Sequence, residues 1–118
     1  MLGRRVDRIE EQLRMEISEI VEREIADPRV GLTTVTRVKV TSDLRNARVF
    51  VTTLGSAEDQ KKAVQGLKSA ASYVRRSLAK RLHHLKRIPE IVFEYDNDIA
   101  DDIRIEQLFD EIKSNPES

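Results

Sequence analysis

Val6, Ile9, Leu13, Ile17, Ile20 and Ile25 recur three to five residues apart, with Glu and Arg filling the intervals. That is the apolar stripe of an amphipathic helix, and it predicts a first helix of about five turns. Asp27-Pro28 ends it, because the residue before a proline avoids helical dihedrals. From Thr33 to Thr41 most positions are β-branched, which predicts a strand. Ser42-Asp43-Leu44-Arg45-Asn46 has turn chemistry. Ala47 to Leu54 then alternates, with Ala47, Val49 and Val51 on one face and Arg48 and Phe50 on the other. The short connection makes the two strands an antiparallel hairpin.

Gly55 ends the second strand, and Ser56-Ala57-Glu58-Asp59 reads as an N-cap followed by acids in a first helical turn. Val64, Leu67, Ala70 (or Ala71), Val74, Leu78 and Leu82 carry helical spacing to about Leu85. Nearly thirty residues is long for one helix in so small a protein. A break is therefore predicted at Ala70-Ala71-Ser72, where the side chains are smallest and Ser competes for backbone hydrogen bonds. Ile88-Pro89 closes this region, and Ile91-Val92-Phe93-Glu94-Tyr95 predicts a third strand. Asp96-Asn97-Asp98 turns the chain. Ile103, Leu108, Phe109 and Ile112 suggest a closing helix, with a flexible tail over 114–118.

The order helix, strand, strand, helix, helix, strand, with a further C-terminal helix, predicts an α+β two-layer domain with its helices on one face of a three-stranded sheet. The same order is that of type II KH domains, whose nucleic-acid groove lies at the turn between kinked middle helices. One domain over 1–113 is the simplest division, and a chain of 118 residues is large enough to bury roughly two-thirds of its unfolded surface.

Charge sharpens the picture. The 21 basic and 21 acidic residues cancel, yet residues 61–87 hold nine Lys and Arg, two His and no acid. Residues 88–118 carry two basic and ten acidic side chains. A contiguous segment at +9 repels itself unless a polyanion or a neighbouring acidic face compensates it. Nucleic acid is the leading polyanion. Absence of Cys excludes disulfides, thiolate metal sites and Cys nucleophiles. No apolar run nears the ~20 residues of a membrane span, and the N-terminus has no signal-peptide core, so a cytoplasmic protein with no membrane role is expected. Aromatics at 4% leave no broad stacking platform for single strands.

Four stretches carry a family likeness. They are Arg5-Val6 at the first helix, Asp27-Pro28-Arg29-Val30-Gly31, the run from Ser42 through Val51, and Ile88-Pro89-Glu90-Ile91-Val92-Phe93-Glu94-Tyr95-Asp96. In this order and spacing the chain resembles the ribosome-binding factor A family over roughly residues 4–112. The resemblance implies a KH-like domain in which the Gly-x-x-Gly turn is replaced by an interrupted Ala-x-Gly kink. Here the matching positions read Ala70-Ala71-Ser72, with Ser72 where the family typically has Gly. A Ser at positive φ would be strained, so a milder kink is expected. The resemblance further implies a non-enzymatic assembly factor. Such a factor binds free small ribosomal subunits and their ribosomal RNA late in maturation, supports RNA processing and growth in the cold, and leaves before translation.

On helical geometry Lys68, Arg75, Arg76, Lys80, Arg81, Lys86 and Arg87 can share a solvent face, and with Ala70, Ala71 and Ser72 they form the expected RNA-binding set. The plainer alternative is a solvated face balanced by acids elsewhere. Tyr73 either stacks on a base or packs its ring on the sheet and leaves its hydroxyl wet. Adjacent His83 and His84 point in different directions on a helix, which disfavours metal ligation. Asp96, Asp98, Asp101 and Asp102 lack the alternation of a calcium loop and read as turn and capping acids. Glu10, Glu11, Glu22 and Glu24 read as a solvated helix face. No nucleophile–base set or phosphate loop supports catalysis, so no cofactor, metal or small-molecule substrate is expected, and the protein is expected to act as a monomer. Two rival functions stand beside the assembly factor: a generic single-stranded nucleic-acid binder, and a protein-interaction module whose basic face docks acidic groups.

Overall fold

Leu2–Arg23 forms α1, and its apolar stripe does what the spacing predicts: Leu13, Ile17 and Ile20 are fully buried. The computed structural model describes residues 2–97, with side chains from Arg5 onward. The predicted closing helix, the tail and the acids from Asp98 onward lie outside the described residues. Thr33–Val40 (β1) and Asn46–Thr53 (β2) pair antiparallel, and Glu90–Tyr95 (β3) adds parallel to β2, giving the order β1-β2-β3. Between the hairpin and β3 come α2 (Ala57–Ser69) and α3 (Ala71–Arg81). The arrangement is the α+β two-layer, KH-like fold expected from the element order.

The alternation in β2 holds. Ala47, Val49 and Val51 are fully buried beneath the helices, and Arg48 and Phe50 occupy the opposite face. Phe50 is nonetheless only 7% exposed there, because the Arg37 guanidinium lies 4.2 Å and that of Arg48 5.1 Å from its ring centre. Cations on an aromatic face are favourable and shield apolar area. Thr36 is an extra residue in β1, at a shift of register between Val35 and Arg37. Its hydroxyl donates to the buried Asp96 carboxylate at 2.6 Å, which ties β1 to the end of β3.

One edge of the sheet is covered from α1: the Glu10 carboxylate accepts the Val40 backbone N–H at 2.8 Å. An edge donor is satisfied and the strand is blunted against further pairing. Glu10 is therefore a structural acceptor and not part of a merely solvated face. At the start of α2, Gly55 takes φ +126°, open to glycine, and turns the chain into the Ser56–Asp59 capping box.

Candidate nucleic-acid interface

The break between the middle helices falls within the predicted triplet. Ala70 adopts φ −93°, ψ 0° and belongs to neither helix; its N–H reaches back to the Gly66 and Leu67 carbonyls at 3.1 and 3.0 Å. Ser72 lies inside α3, not at the break, and among the described residues the only non-glycine with positive φ is Leu44. The strain expected for Ser72 therefore does not arise. The kink is set at Ala70, where ordinary φ suffices.

The helix after the break, α3, is shorter than its apolar spacing predicts. It ends at Arg81, and Leu82, at φ −116° and ψ 61°, leads into a turn at His83–His84. Leu82 and Ile88 are buried on either side of this loop and pull it against the core. Lys86 and Arg87 thus project from a loop and not from a helical face.

This geometry divides the predicted cations. Ala71, Ser72, Arg75 and Arg76 from α3, with Lys86 and Arg87 from the loop, line one groove beside the start of β3. Arg75 is partly committed there, since it donates to the Ile88 carbonyl at 3.1 Å and pairs with Glu90 at 3.0 Å. Arg76, Lys86 and Arg87 are exposed and make no ion pair among the described residues. Lys80 is exposed on α3. Lys68 lines a separate groove with Gln65, Glu94 and Tyr95, and Ala70 is half-buried at the break.

Arg81 departs most from the expected solvent face. It turns toward α1 and binds Glu16 at 3.0 Å, Glu24 at 2.6 Å and Glu19 at 3.5 Å. Hydrogen bonds to Glu16 and Glu24 raise its pKa further above the ordinary arginine value. Glu24 is the centre of this clasp. Tyr73 donates to it at 2.6 Å and Ser77 at 3.1 Å, and these partners, the Tyr73 hydroxyl foremost and then Arg81, hold its carboxyl below the usual range. Tyr73 is 40% exposed, and its hydroxyl is committed to Glu24. His84 sits 3.3 Å from Gln12 of α1, and no cluster placed to hold a metal ion occurs among the described residues. No described helix is long and apolar enough to cross a membrane.

Sequence reasoning did not single out Glu24 or Arg81 as a pair, because they are 57 positions apart. The signal was present only as a charge pattern, since α1 carries the acids that the basic segment lacks.

The family model described as ribosome-binding factor A matches residues 5–109. A ribosome-binding factor A of Desulfitobacterium hafniense (strain DSM 10664 / DCB-2) is 42% identical over 117 residues, covering 99% of this chain and 93% of the relative. The crystal structure of ribosome-binding factor A from Thermus thermophilus superposes with a TM-score of 0.67 at 27% identity, over 76% of this chain and 94% of that one. Coordinates of a Thermus thermophilus ribosome binding factor A homology model, fitted into a cryo-EM map of a 30S–RbfA complex, match with a TM-score of 0.61 at 27% identity, over 72% of this chain and 88% of that one. With the family model matched over residues 5–109 and 42% identity across nearly the whole length of a relative, the chain belongs to the ribosome-binding factor A family.

Proposed function

We propose that this protein binds the small ribosomal subunit as an assembly factor, gripping ribosomal RNA through Arg76, Lys80, Lys86 and Arg87 around the Ala70–Ser72 kink. The observation that carries this reading is the sorting of cations. Arg81 is neutralised by α1, whereas Arg76, Lys80, Lys86 and Arg87 remain exposed without ion pairs among the described residues. Exposed cations without ion pairs are available for phosphate contact; such contacts fix affinity and register and carry little sequence information. The small side chains at Ala70, Ala71 and Ser72 let backbone approach RNA closely, and Arg75 shapes the groove wall. Occupancy then favours one RNA arrangement over another. Binding late in maturation, support of RNA processing and of growth in the cold, a cytoplasmic location, a monomeric state and the absence of catalysis complete the proposal.

The experiment is sedimentation with free small subunits at several salt concentrations. Replacing Arg76, Lys80, Lys86 and Arg87 together by Gln is expected to weaken binding and to lower the slope of log affinity against log salt by about 0.7–0.9 per lost contact. A folded quadruple variant that binds like the parent would overturn the site. Equal binding of the parent to small subunits and to naked RNA fragments would indicate a generic nucleic-acid binder. No binding to either would favour a protein-interaction module.

A further inference from the structure

The stretch Asp27-Pro28-Arg29-Val30-Gly31 lies outside the groove between α3 and the start of β3. In the fold it lies against the end of α2. Val30 is buried in the core, and Gly66 of α2 leaves room for the loop. A Cβ there would stand 3.1 Å from the Val30 side chain and 3.3 Å from the Arg29 Cβ, tighter than side chains normally pack, and in ordinary contact with Asp27 at 3.4 Å. The missing side chain brings the loop onto the last turn of α2, directly before the break.

Asp27 then orients Arg29. Its carboxylate accepts the Arg29 backbone N–H at 2.9 Å, Nε at 3.1 Å and Nη2 at 2.7 Å. The same Nη2 reaches the Ser69 hydroxyl at 3.5 Å, one residue before Ala70. Nη1 makes no hydrogen bond among the described residues, and the side chain is 43% exposed. With Nε and Nη2 held by Asp27 and Ser69, the Nη1 end is left to donate to a phosphate, and the Asp27 pair keeps the guanidinium in place. Ser69, Ser72, Arg76 and Lys80 are all exposed and follow one another at intervals of three or four residues. Ser72, Arg76 and Lys80 form a stripe along α3, and Ser69, just before the break, is the residue that Arg29 reaches.

We infer that Arg29 is an additional RNA-backbone contact, and that a phosphate track crosses the kink from Arg76 to Arg29. The inference rests on the proposed small-subunit binding and extends it to the opposite side of the break. Asp27 and Gly66 act as positioning residues: Gly66 admits the loop and Asp27 holds the guanidinium in place. A plainer role is favourable interaction of Arg29 with the carbonyl end of α2. That role predicts an effect on stability alone.

The test compares the full chain with Arg29→Gln, Arg29→Lys and Arg76→Gln in sedimentation with free small subunits across salt, alongside thermal melting. Arg29→Gln is expected to lower the salt slope by about 0.7–0.9, equivalent to roughly four- to fivefold weaker binding at 0.15 M salt. Arg29→Lys, which keeps the charge but loses the planar guanidinium fork, is expected to give a slope above that of Arg29→Gln while binding more weakly than the parent. A parental slope in Arg29→Gln overturns the inference. If Arg76→Gln lowers the slope while Arg29→Gln does not, only the track to Arg29 fails; if neither does, the proposed site fails with it. Should Arg29→Gln not fold, modification of the parent by phenylglyoxal decides: Arg29 protected on the subunit supports the contact, and equal modification free and bound overturns it.

Discussion

At the scale of single residues, Glu24 shows how one side chain can order several others. It gathers Tyr73, Ser77 and Arg81 onto the end of α1, so α3 is held with Arg81 inward while Arg76 stays exposed. Its folded pKa is depressed, so its contribution to stability is fully present above the unfolded glutamate value of about 4.3 and is lost as pH falls through the lower folded value. The melting temperature is thus expected to be flat through neutral pH and to fall below about pH 4.3, with a shallower acid fall in Glu24→Gln. Melting curves read between pH 3 and 7 check this. The same hydrogen bond raises the Tyr73 phenol above its ordinary value of 10.0. An alkaline ultraviolet titration is expected to show Tyr73 ionising earlier in Glu24→Gln. Arg81→Gln is expected to lower the melting temperature and leave the salt slope of subunit binding unchanged, the reverse of the result expected for Arg76→Gln.

At the scale of elements, the kink between α2 and α3 needs no special residue. Ala70 reaches φ −93°, ψ 0° without strain of the left-handed kind, and its amide still finds carbonyl partners in α2. Ser72, in the first turn of α3, occupies ordinary helix. Ser72→Gly is expected to cost about 0.5 kcal/mol through helix propensity instead of relieving strain, measurable by urea denaturation. A gain in stability would mean that the break is set at Ser72 after all. The break was legible in the run of small side chains. Its exact residue was not, because Ala70, Ala71 and Ser72 are interchangeable in size and only the packing of Leu67 and Val74 into one core fixes where the helix turns.

At the scale of the whole molecule, one core joins both layers. Leu13, Ile17, Val49, Leu67, Val74, Leu78 and Phe93 are all fully buried and belong to a single cluster. Among the described residues Phe93 is the largest of the fully buried side chains, near the centre of β3. Phe93→Ala is expected to destabilise by ~3–5 kcal/mol and to shift one transition seen alike by circular dichroism and tyrosine fluorescence, as a single cooperative domain requires. Charge is organised at the same scale. The acids at α1 absorb the inner edge of the basic segment at Arg81, and Arg76, Lys80, Lys86 and Arg87 stay exposed.

The sequence by itself determined α1, the break between the middle helices, the three strands, their order and the hairpin, since each follows from local periodicity, turn chemistry and small side chains. It also determined that residues 61–87 carry an excess of positive charge with no acid among them. Only the tertiary structure decided which cations remain available. Whether Arg81 faces solvent depends on Glu16 and Glu24, whether Lys86 and Arg87 ride on a helix depends on how Leu82 and Ile88 reach the core, and whether Arg29 stands beside the kink depends on the notch at Gly66. Periodicity is a property of neighbours along the chain, whereas charge pairing and close approach are properties of residues that meet only once the layers are packed.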